Sequence, residues 1–431
     1  MLTAFGRAFK TPDLRRKILF TLAIIGIYRL GSFVPGPGVS YVAIQRCLTQ
    51  VEGQGIYGLV NLFSGGALLQ LSVFALGIMP YITSSIILQL LVVVIPRLEE
   101  LKKEGQAGQA KITQYTRYLT IALAVLQSTG IIALARSGRL FQGCTEDLIP
   151  DDSLFRVLVL VITMTAGTAV IMWLGELITD RGVGNGMSVL IFTSIISSIP
   201  GQGLNLFRQE NGPFKVVSIT LLAVLVITLV VYVEQAQRRI PVQYAKRMIG
   251  RRMYGGTSTY IPLKVNQAGI IPVIFASSLL YLPQLLSNVW TSNAVFTRFI
   301  TTYLTNPSNP VYLAVYFALI VFFTYFYVAI TFNPVEVSDN MKKYGGFVPG
   351  IRPGRATAEY LDYILSRITA FGAIYLGLVA VLPYLLFGLT GTGEQIPFGG
   401  TAVLIIVGVG LETVKQIESQ LMLRNYEGFL R

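Results

Sequence analysis

The 431-residue sequence contains no histidine, and only 13% of its residues are charged. Soluble domains carry about 25% charged residues, so this composition cannot cover a water-soluble surface. Without histidine the chain lacks the commonest general base and the commonest metal ligand. Its two cysteines, Cys47 and Cys144, are too few for a zinc cluster, an iron–sulfur site or a disulfide framework. We therefore expect an integral membrane protein with no catalytic residue, no metal site and no cofactor.

Two further absences concern the source of energy. The sequence has no G-x-x-x-x-G-K-[ST] motif, so no ATP-binding loop is predicted, and the glycine-rich run 182–186 is typical of a tight turn before an apolar helix. No Asp or Glu lies well inside an apolar run, whereas proton-coupled transporters usually carry such buried relays. Energy for any movement is therefore expected from a partner or from the substrate.

Apolar stretches that approach the length of a membrane-spanning helix, about 20 residues, occur ten times. They lie near 18–35, 73–95, 118–135, 157–175, 186–203, 216–233, 265–297, 299–335, 368–393 and 395–411. The first has the charged flank of a signal peptide, but Arg29 and Pro35-Gly36-Pro37 replace the cleavage site, so we interpret it as a retained span. The pattern predicts an all-α multi-pass membrane protein.

The distribution of positive charge predicts the orientation. With a cytoplasmic N-terminus, 26 of the 34 Lys and Arg lie on the cytoplasmic side and six on the other, so both termini are predicted to be cytoplasmic. Ten spans divide into inverted halves of five, 1–209 and 210–431, with a pathway expected between them. Arg29, near the outer end of the first span, is interpreted as reaching the interface. The two cysteines fall outside and could pair, but unpaired thiols are the favoured interpretation.

Three segments do not fit a simple bundle. The cytoplasmic segments 234–266 and 333–367 are too long for turns, and the first has seven Lys and Arg against one acid. We interpret it as a docking surface for an anionic partner, with the positive-inside bias as the alternative. The uncharged stretch 61–72 would be about 18 Å long as a helix, too short to span. We interpret it as a re-entrant piece, with an interfacial helix as the alternative.

Long ordered motifs then identify a family. They are NLFSGG (61–66), FALGIMPYI (74–82), MWLGELITDRGVGNGMS (172–188), QRRIPVQYAKR (237–247), PLKVNQAGIIPVIFASS (262–278), FVPGIRPG (347–354) and QIESQLMLRNYEGFL (416–430). With them the chain resembles the SecY/Sec61-alpha family of protein-conducting channels over nearly its whole length. The resemblance implies two inverted five-helix halves around a central pore in the bacterial cell membrane. Unfolded secretory polypeptides would cross this pore, and membrane segments would leave through a lateral gate.

The resemblance also implies the site residues. The pore ring would be Ile78, Ile82, Ile191, Ile274 and Ile405. The plug segment, 61–72, would begin with Asn61, Leu62, Phe63, Ser64, Gly65 and Gly66. The lateral gate would include Thr83, Gln89, Asn185 and Pro272, of which Pro272, like Pro80, can kink its helix. The residues that dock the SecA ATPase or the ribosome would be Arg238, Arg239, Arg251, Arg252 and Arg352.

The implied partners are the SecE and SecG subunits, the SecA ATPase, the ribosome, preproteins with signal sequences, SecDF, YidC and anionic membrane lipids. Two other functions compete with the channel. A secondary transporter for a small solute is disfavoured by the missing intramembrane charges and the large basic loops. A membrane-embedded enzyme is disfavoured by the absence of histidine and of carboxylate pairs within spans.

Overall fold

The structure is a computed structural model that describes part of the chain in detail. The described residues are 9, 11–50, 64–136, 138, 146–150, 153–207, 212–244, 247–249, 252–254, 258–289, 298–304, 309–390 and 400–429. Four residues named above, Asn61, Leu62, Phe63 and Arg251, lie outside them, as does Cys144.

The described chain is mostly helical, as predicted. Its α-helices are α1 (Pro12–Phe33), α2 (Tyr41–Gln50), α3 (Met79–Val94), α4 (Pro96–Lys103), α5 (Gln106–Arg136), α6 (Leu154–Arg181), α7 (Gly186–Phe207), α8 (Gly212–Gln235), α9 (Ile271–Val289), α10 (Pro310–Thr331), α11 (Pro334–Lys343), α12 (Arg355–Thr390) and α13 (Gly400–Phe429). A short π-helical turn covers Ile300–Leu304. The strands are β1 (Gln237–Tyr244), β2 (Arg247–Ile249), β3 (Arg252–Tyr254), β4 (Ser258–Lys264) and β5 (Gly346–Phe347).

Each of the ten predicted spans coincides with one of these helices. They are α1, α3, α5, α6, α7, α8, α9, α10, α12 and α13. By length and mean hydropathy alone, six helices of the described part qualify as spans, or seven if α3 and α4, bent by 100° at Ile95, form one broken span. Helix α1 carries Arg29 and a basic first half, while α7 and α9 have short apolar windows, 186–201 and 271–280, so hydropathy alone misses these three.

The prediction that Pro80 and Pro272 kink their helices is wrong. Helix α3 begins at Met79 and α9 at Ile271, so both prolines occupy the first helical turn. Proline has no N–H to donate, and the first-turn N–H groups have no intrahelical partner, so proline starts a helix without breaking it. Both prolines therefore mark where a membrane helix begins.

The largest hydrophobic cluster joins four of the first five predicted spans to all of the last five. Buried side chains of α1, α3, α6, α7, α8, α9, α10, α12 and α13 contribute to it. Across the boundary between the halves, α3 packs against α9, and α7 packs against α8 and α13. Within the first half α7 approaches α6 closely, since a Cβ at Gly186 would lie 1.8 Å from the Gly175 carbonyl oxygen. The core thus lies between the two predicted halves.

The long basic segments form a small β-structure that the sequence interpretation missed. Strands β4, β1 and β5 make an antiparallel sheet in that order, with Ile240 opposite Ile261 and Gln243 opposite Phe347. Ile240 and Val242 on β1 are buried with Leu263, against residues of α11 and α12. Strand alternation explains this arrangement, because every second residue of β1 faces the small core. The two segments 234–266 and 333–367 therefore form one unit.

The interpretation of unpaired thiols is also wrong. Cys47 of α2 is buried and disulfide-bonded. The one other cysteine in the sequence is Cys144, outside the described residues. Beside Cys47, Arg46 forms an exposed salt bridge of 3.2 Å with Glu146, in the segment that follows α5. An exposed pair of this kind contributes little to stability.

Candidate functional site

Five isoleucines that the motifs single out lie in the core between the halves. Ile78 directly precedes α3 and Ile82 lies on it, while the other three lie on α7, α9 and α13. Their side chains are at most 8% exposed, and all five belong to the same contiguous hydrophobic cluster: Ile78, Ile82, Ile191, Ile274 and Ile405. The same cluster contains Ile195 and Leu404, so the motif context, not burial, distinguishes the five.

Helices α3 and α9, which the predicted lateral gate needs, are in contact in this structure. Thr83 of α3 is buried and donates its hydroxyl to the Met79 carbonyl at 2.9 Å. The next residue, Ser84, shares a hydrogen bond of 2.5 Å with Thr120 of α5. On α9, Ser277 and Ser278 are buried, and Ser278 Oγ has no hydrogen-bond partner among the described residues. These serines belong to the FASS motif, yet the sequence interpretation did not select them.

Two other predicted gate residues are not buried between α3 and α9. Gln89 is exposed on α3, and its amide donates to Ser85 of the same helix at 3.5 Å. Asn185 is exposed at the turn between α6 and α7, where its Oδ1 accepts from the Met187 and Ser188 N–H groups at 3.1 and 3.4 Å. Asn185 therefore caps α7, which is the ordinary role of asparagine before a helix.

The described part of the plug segment is a series of turns rather than a continuous helix. Gly65 and Gly66 have φ of +66° and +92°, values that end a right-handed helix and that only glycine adopts readily. Before them, Ser64 is fully buried and its Oγ accepts from Leu68 N–H at 3.1 Å. Leu68 is buried in a second hydrophobic cluster, with residues of α2, α5 and α6. The segment is thus packed into the protein from Ser64 onward.

Arg29 is a basic side chain that contacts the described part of the plug segment. The sequence analysis predicted that this side chain reaches the membrane interface. In the structure it is partly buried, and its Nη1 donates to the Gly65 carbonyl oxygen at 3.0 Å. The guanidinium also lies over the Phe33 ring, 5.0 Å from its centroid. An arginine near the end of a span usually reaches for water, and this one is instead held by a backbone carbonyl. The sequence contains one indication that Arg29 is unusual, because it is a charged residue in an otherwise apolar run.

Four of the five predicted docking arginines are described, and they lie on the β-structure and its connection to α12. Arg238 and Arg239 are exposed on β1, and the Arg239 guanidinium lies 4.9 Å from the centre of the Tyr260 ring on β4. Arg352 is exposed between β5 and α12, where its carbonyl accepts the Thr357 hydroxyl at 2.9 Å. Arg252 lies on β3. Because β1 pairs with both β4 and β5, the sheet joins the two loops that carry these arginines.

The charges of this surface are not neutralised by neighbouring acids. In the part of the chain that the structure describes, Arg238, Arg239 and Arg352 take part in no salt bridge. A free guanidinium presents a planar set of donors that fits carboxylate and phosphate groups. The described residues also contain no cluster of His, Cys, Asp and Glu able to hold a metal ion. The surface is therefore suited to binding an anionic partner.

Comparisons with known proteins agree on one family. The SecY family profile matches residues 72–414. The protein translocase subunit SecY of Streptomyces coelicolor is 65% identical over 437 residues, covering 100% of both chains.

Solved structures with this fold are more distant in sequence. A protein-conducting channel gives a TM-score of 0.65, a SecY structure described by its plug domain gives 0.64, and Sec61 in the canine ribosome–channel complex gives 0.62. Each is 18% identical and covers 94% of this chain and 91% of its own.

Proposed function

The chain belongs to the SecY family, and we propose that it is the protein-conducting channel of a bacterial protein translocase, a conduit and not an enzyme. Unfolded secretory polypeptides cross between the halves 1–209 and 210–431, and membrane segments leave sideways between α3 and α9. One observation carries the proposal: five motif-selected isoleucines from α3, α7, α9 and α13 are buried in one cluster where the two halves meet.

Isoleucine suits a seal that must also open. A constriction of branched apolar side chains wets poorly, so it blocks ions without any charge. Because such side chains make no directional bonds, they separate around a passing polypeptide and close again without leaving a polar group unpaired. The ring Ile78, Ile82, Ile191, Ile274 and Ile405 is assigned this role.

The plug segment, 61–72, closes the outer side of the same pathway. Its described part is buried against the protein and is tied to α1 by Arg29. In a solved SecY structure of the same fold, the plug domain is described as stabilising the closed state of the channel. We assign the same function to the segment 61–72 here.

The basic surface receives the partners that supply energy. The SecA ATPase or the ribosome docks on Arg238, Arg239, Arg251, Arg252 and Arg352, and a ribosome-bound Sec61 of the same fold supports this assignment. SecE and SecG complete the channel, with SecDF, YidC and anionic lipids as further partners. Preproteins with signal sequences are the substrates, and their signals enter where α3 meets α9.

The protein is placed in the bacterial cell membrane with both termini cytoplasmic. The distribution of Lys and Arg supports this orientation, because 26 of 34 then face the cytoplasm. The docking surface lies on that side, where SecA and ribosomes are found.

Reconstitution tests the proposal directly. The chain is co-purified with SecE and SecG, placed in lipid vesicles, and supplied with SecA, ATP and a labelled preprotein. We expect ATP-dependent protection of the preprotein from external protease, and no protection when its signal sequence is deleted. An intact reconstituted complex that protects neither preprotein, while SecA hydrolyses ATP normally, would contradict the proposed function.

A further inference from the structure

Arg29 is a cation within the first membrane helix, and its partner in the structure is the plug segment. A charged group in a membrane helix is costly unless it is paired or reaches water. Among the described residues no carboxylate forms a salt bridge with Arg29. The contacts of its guanidinium are the Gly65 carbonyl oxygen at 3.0 Å and the Phe33 ring at 5.0 Å. The contact to Gly65 is a charge-assisted hydrogen bond, stronger than a neutral one.

The backbone at Gly65 is shaped for this contact. Its φ of +66° disfavours other residues, and a Cβ there would lie 2.7 Å from Arg29 Nη1. The same Cβ would approach the Ser194 Cα at 3.2 Å and the Ser197 Oγ at 3.3 Å, both on α7. The plug backbone therefore sits tightly between α1 and α7, with its carbonyl accessible to the guanidinium.

Helix α1 is itself fixed next to Arg29. The preceding residue, Tyr28, is fully buried, and its hydroxyl shares a hydrogen bond of 2.6 Å with Ser194 of α7. The Tyr28 ring also stacks on Phe74, with 6.0 Å between ring centroids. These contacts set the rotation of α1, so the Arg29 side chain leaves the helix on the side of the plug segment.

The far end of the plug segment is attached in a different way, to the residues that follow α1. The Gly36 N–H donates to the Leu71 carbonyl and the Val73 N–H donates to the Val34 carbonyl, each at 2.9 Å. This backbone pairing needs no side chain and can persist as a hinge. The Arg29 contact is a single hydrogen bond to one carbonyl and can break without disturbing the hinge.

We propose that Arg29 is a positioning residue for channel closure, which holds the plug segment shut through the Gly65 carbonyl and releases it when a polypeptide enters. The inference rests on the proposed channel function and adds a specific regulator to it. Displacement of the plug breaks this bond and the packing of Leu68 against α2, α5 and α6, while the pairing of 34–36 with 71–73 keeps the segment tethered for reclosure.

The test measures ion leak through idle channels in planar bilayers, with SecE and SecG present. Arg29→Gln removes the charge but keeps an amide donor, and Arg29→Lys keeps a cation. Loss of a hydrogen bond from a charged donor should raise the open fraction of idle channels about ten-fold in Arg29→Gln, with a smaller rise in Arg29→Lys. Arg46→Gln, an exposed arginine on the same predicted side, is the matched control and should match the parent.

A double-variant cycle separates positioning from a general structural role. Deletion of 61–70 removes Gly65 but leaves the hinge, so Arg29→Gln should add no further leak in that background. Export of a preprotein with a defective signal sequence should rise in Arg29→Gln and be unchanged in Arg46→Gln. If the Arg29→Gln protein does not accumulate in cells, the test uses Arg29→Lys alone. An idle ion leak through Arg29→Lys channels that exceeds the leak of the parent then supports the proposal.

Three results would overturn the inference: an unchanged idle leak in both Arg29 variants, an equal added leak in the plug-deleted channel, or a leak of the same size in Arg46→Gln. In each case normal SecA-driven translocation by the parent would leave the proposed function standing. If the parent itself translocates nothing, the channel function and the inference fail together.

Discussion

The residues at the centre of this molecule are apolar where a conduit is expected to be polar. Ile274 on α9 is 8% exposed and belongs to the cluster that contains the other four motif-selected isoleucines. A polar substitution there would leave an amide in an apolar constriction in the closed state and would let water enter it. The effect on closure should therefore exceed the effect on translocation.

Ile274→Asn is expected to raise the idle ion leak about ten-fold, because an unpaired buried amide costs about 1–3 kcal/mol and disfavours the closed state. It should also let preproteins with weakened signal sequences cross. Conductance in planar bilayers measures the leak. Leu279→Asn, on the same helix at a residue that is 41% exposed, is the control. Equal leaks from both variants would remove Ile274 from the ring.

Arginine at the proposed docking surface is expected to act through charge and geometry. Arg352 is exposed and takes part in no salt bridge among the described residues, so its guanidinium is available to a partner. Arg352→Glu should slow SecA-driven translocation roughly ten-fold, because it places like charges in the interface. Arg97→Glu makes the same change on another exposed arginine of the predicted cytoplasmic side. Normal rates in Arg352→Glu vesicles would exclude Arg352 from the docking surface.

Motifs selected several candidate residues, and the structure adds contacts that no motif indicated. GIMPYI places Ile78 and Ile82, PVIF places Ile274, Ile191 follows GMSVL, and Ile405 lies in the tenth span. The structure adds that all five are buried. The contact of Arg29 was not predictable, because it depends on a backbone carbonyl 36 residues away. Asn185 looked like a gate residue, whereas its capping role depends on where α7 begins.

At the scale of elements, the helices were predictable and the sheet was not. Long apolar runs determine membrane helices because the bilayer requires internal backbone hydrogen bonds. The strands β1 and β4 are short and carry proline, and their pairing joins residues such as Arg239 and Pro262 that are distant in sequence. Pairing of β1 with β5 spans about a hundred residues, and no local pattern predicts it.

The sheet is expected to position both docking loops together. Ile240 is 2% exposed, and Ile240→Ala should cost about 2–5 kcal/mol of local stability by leaving a cavity in this small core. SecA-driven translocation should fall while the idle leak stays unchanged, because the pore cluster is separate. Hydrogen exchange of β1 and β4 reports the loss, with exposed Gln243→Ala as control. Unchanged exchange would show that the sheet does not depend on this core.

At the scale of the whole molecule, topology links the charge distribution to the pathway. In the proposed topology, ten spans with five in each half place the docking surface inside and the plug segment outside. Within the described residues, length and hydropathy alone find six or seven spans, which would reverse the predicted side of several loops. The side of the membrane on which each loop lies therefore distinguishes ten spans from six or seven.

Single cysteines in a Cys47→Ser, Cys144→Ser background can measure that property with a membrane-impermeant maleimide on intact cells. The maleimide should label Ser153→Cys and Arg298→Cys on intact cells. These positions follow the third and seventh predicted spans, which places them outside the cell, and both are exposed. The positions of Lys103→Cys and Asn340→Cys are also exposed, but these variants should be labelled only after the cells are opened. Ten spans with a cytoplasmic N-terminus require this alternation through both halves. If one span were missing, every later position would lie on the opposite side of the membrane. Labelling of Asn340→Cys on intact cells would therefore contradict the inverted halves, while the sides assigned to the first half would stand.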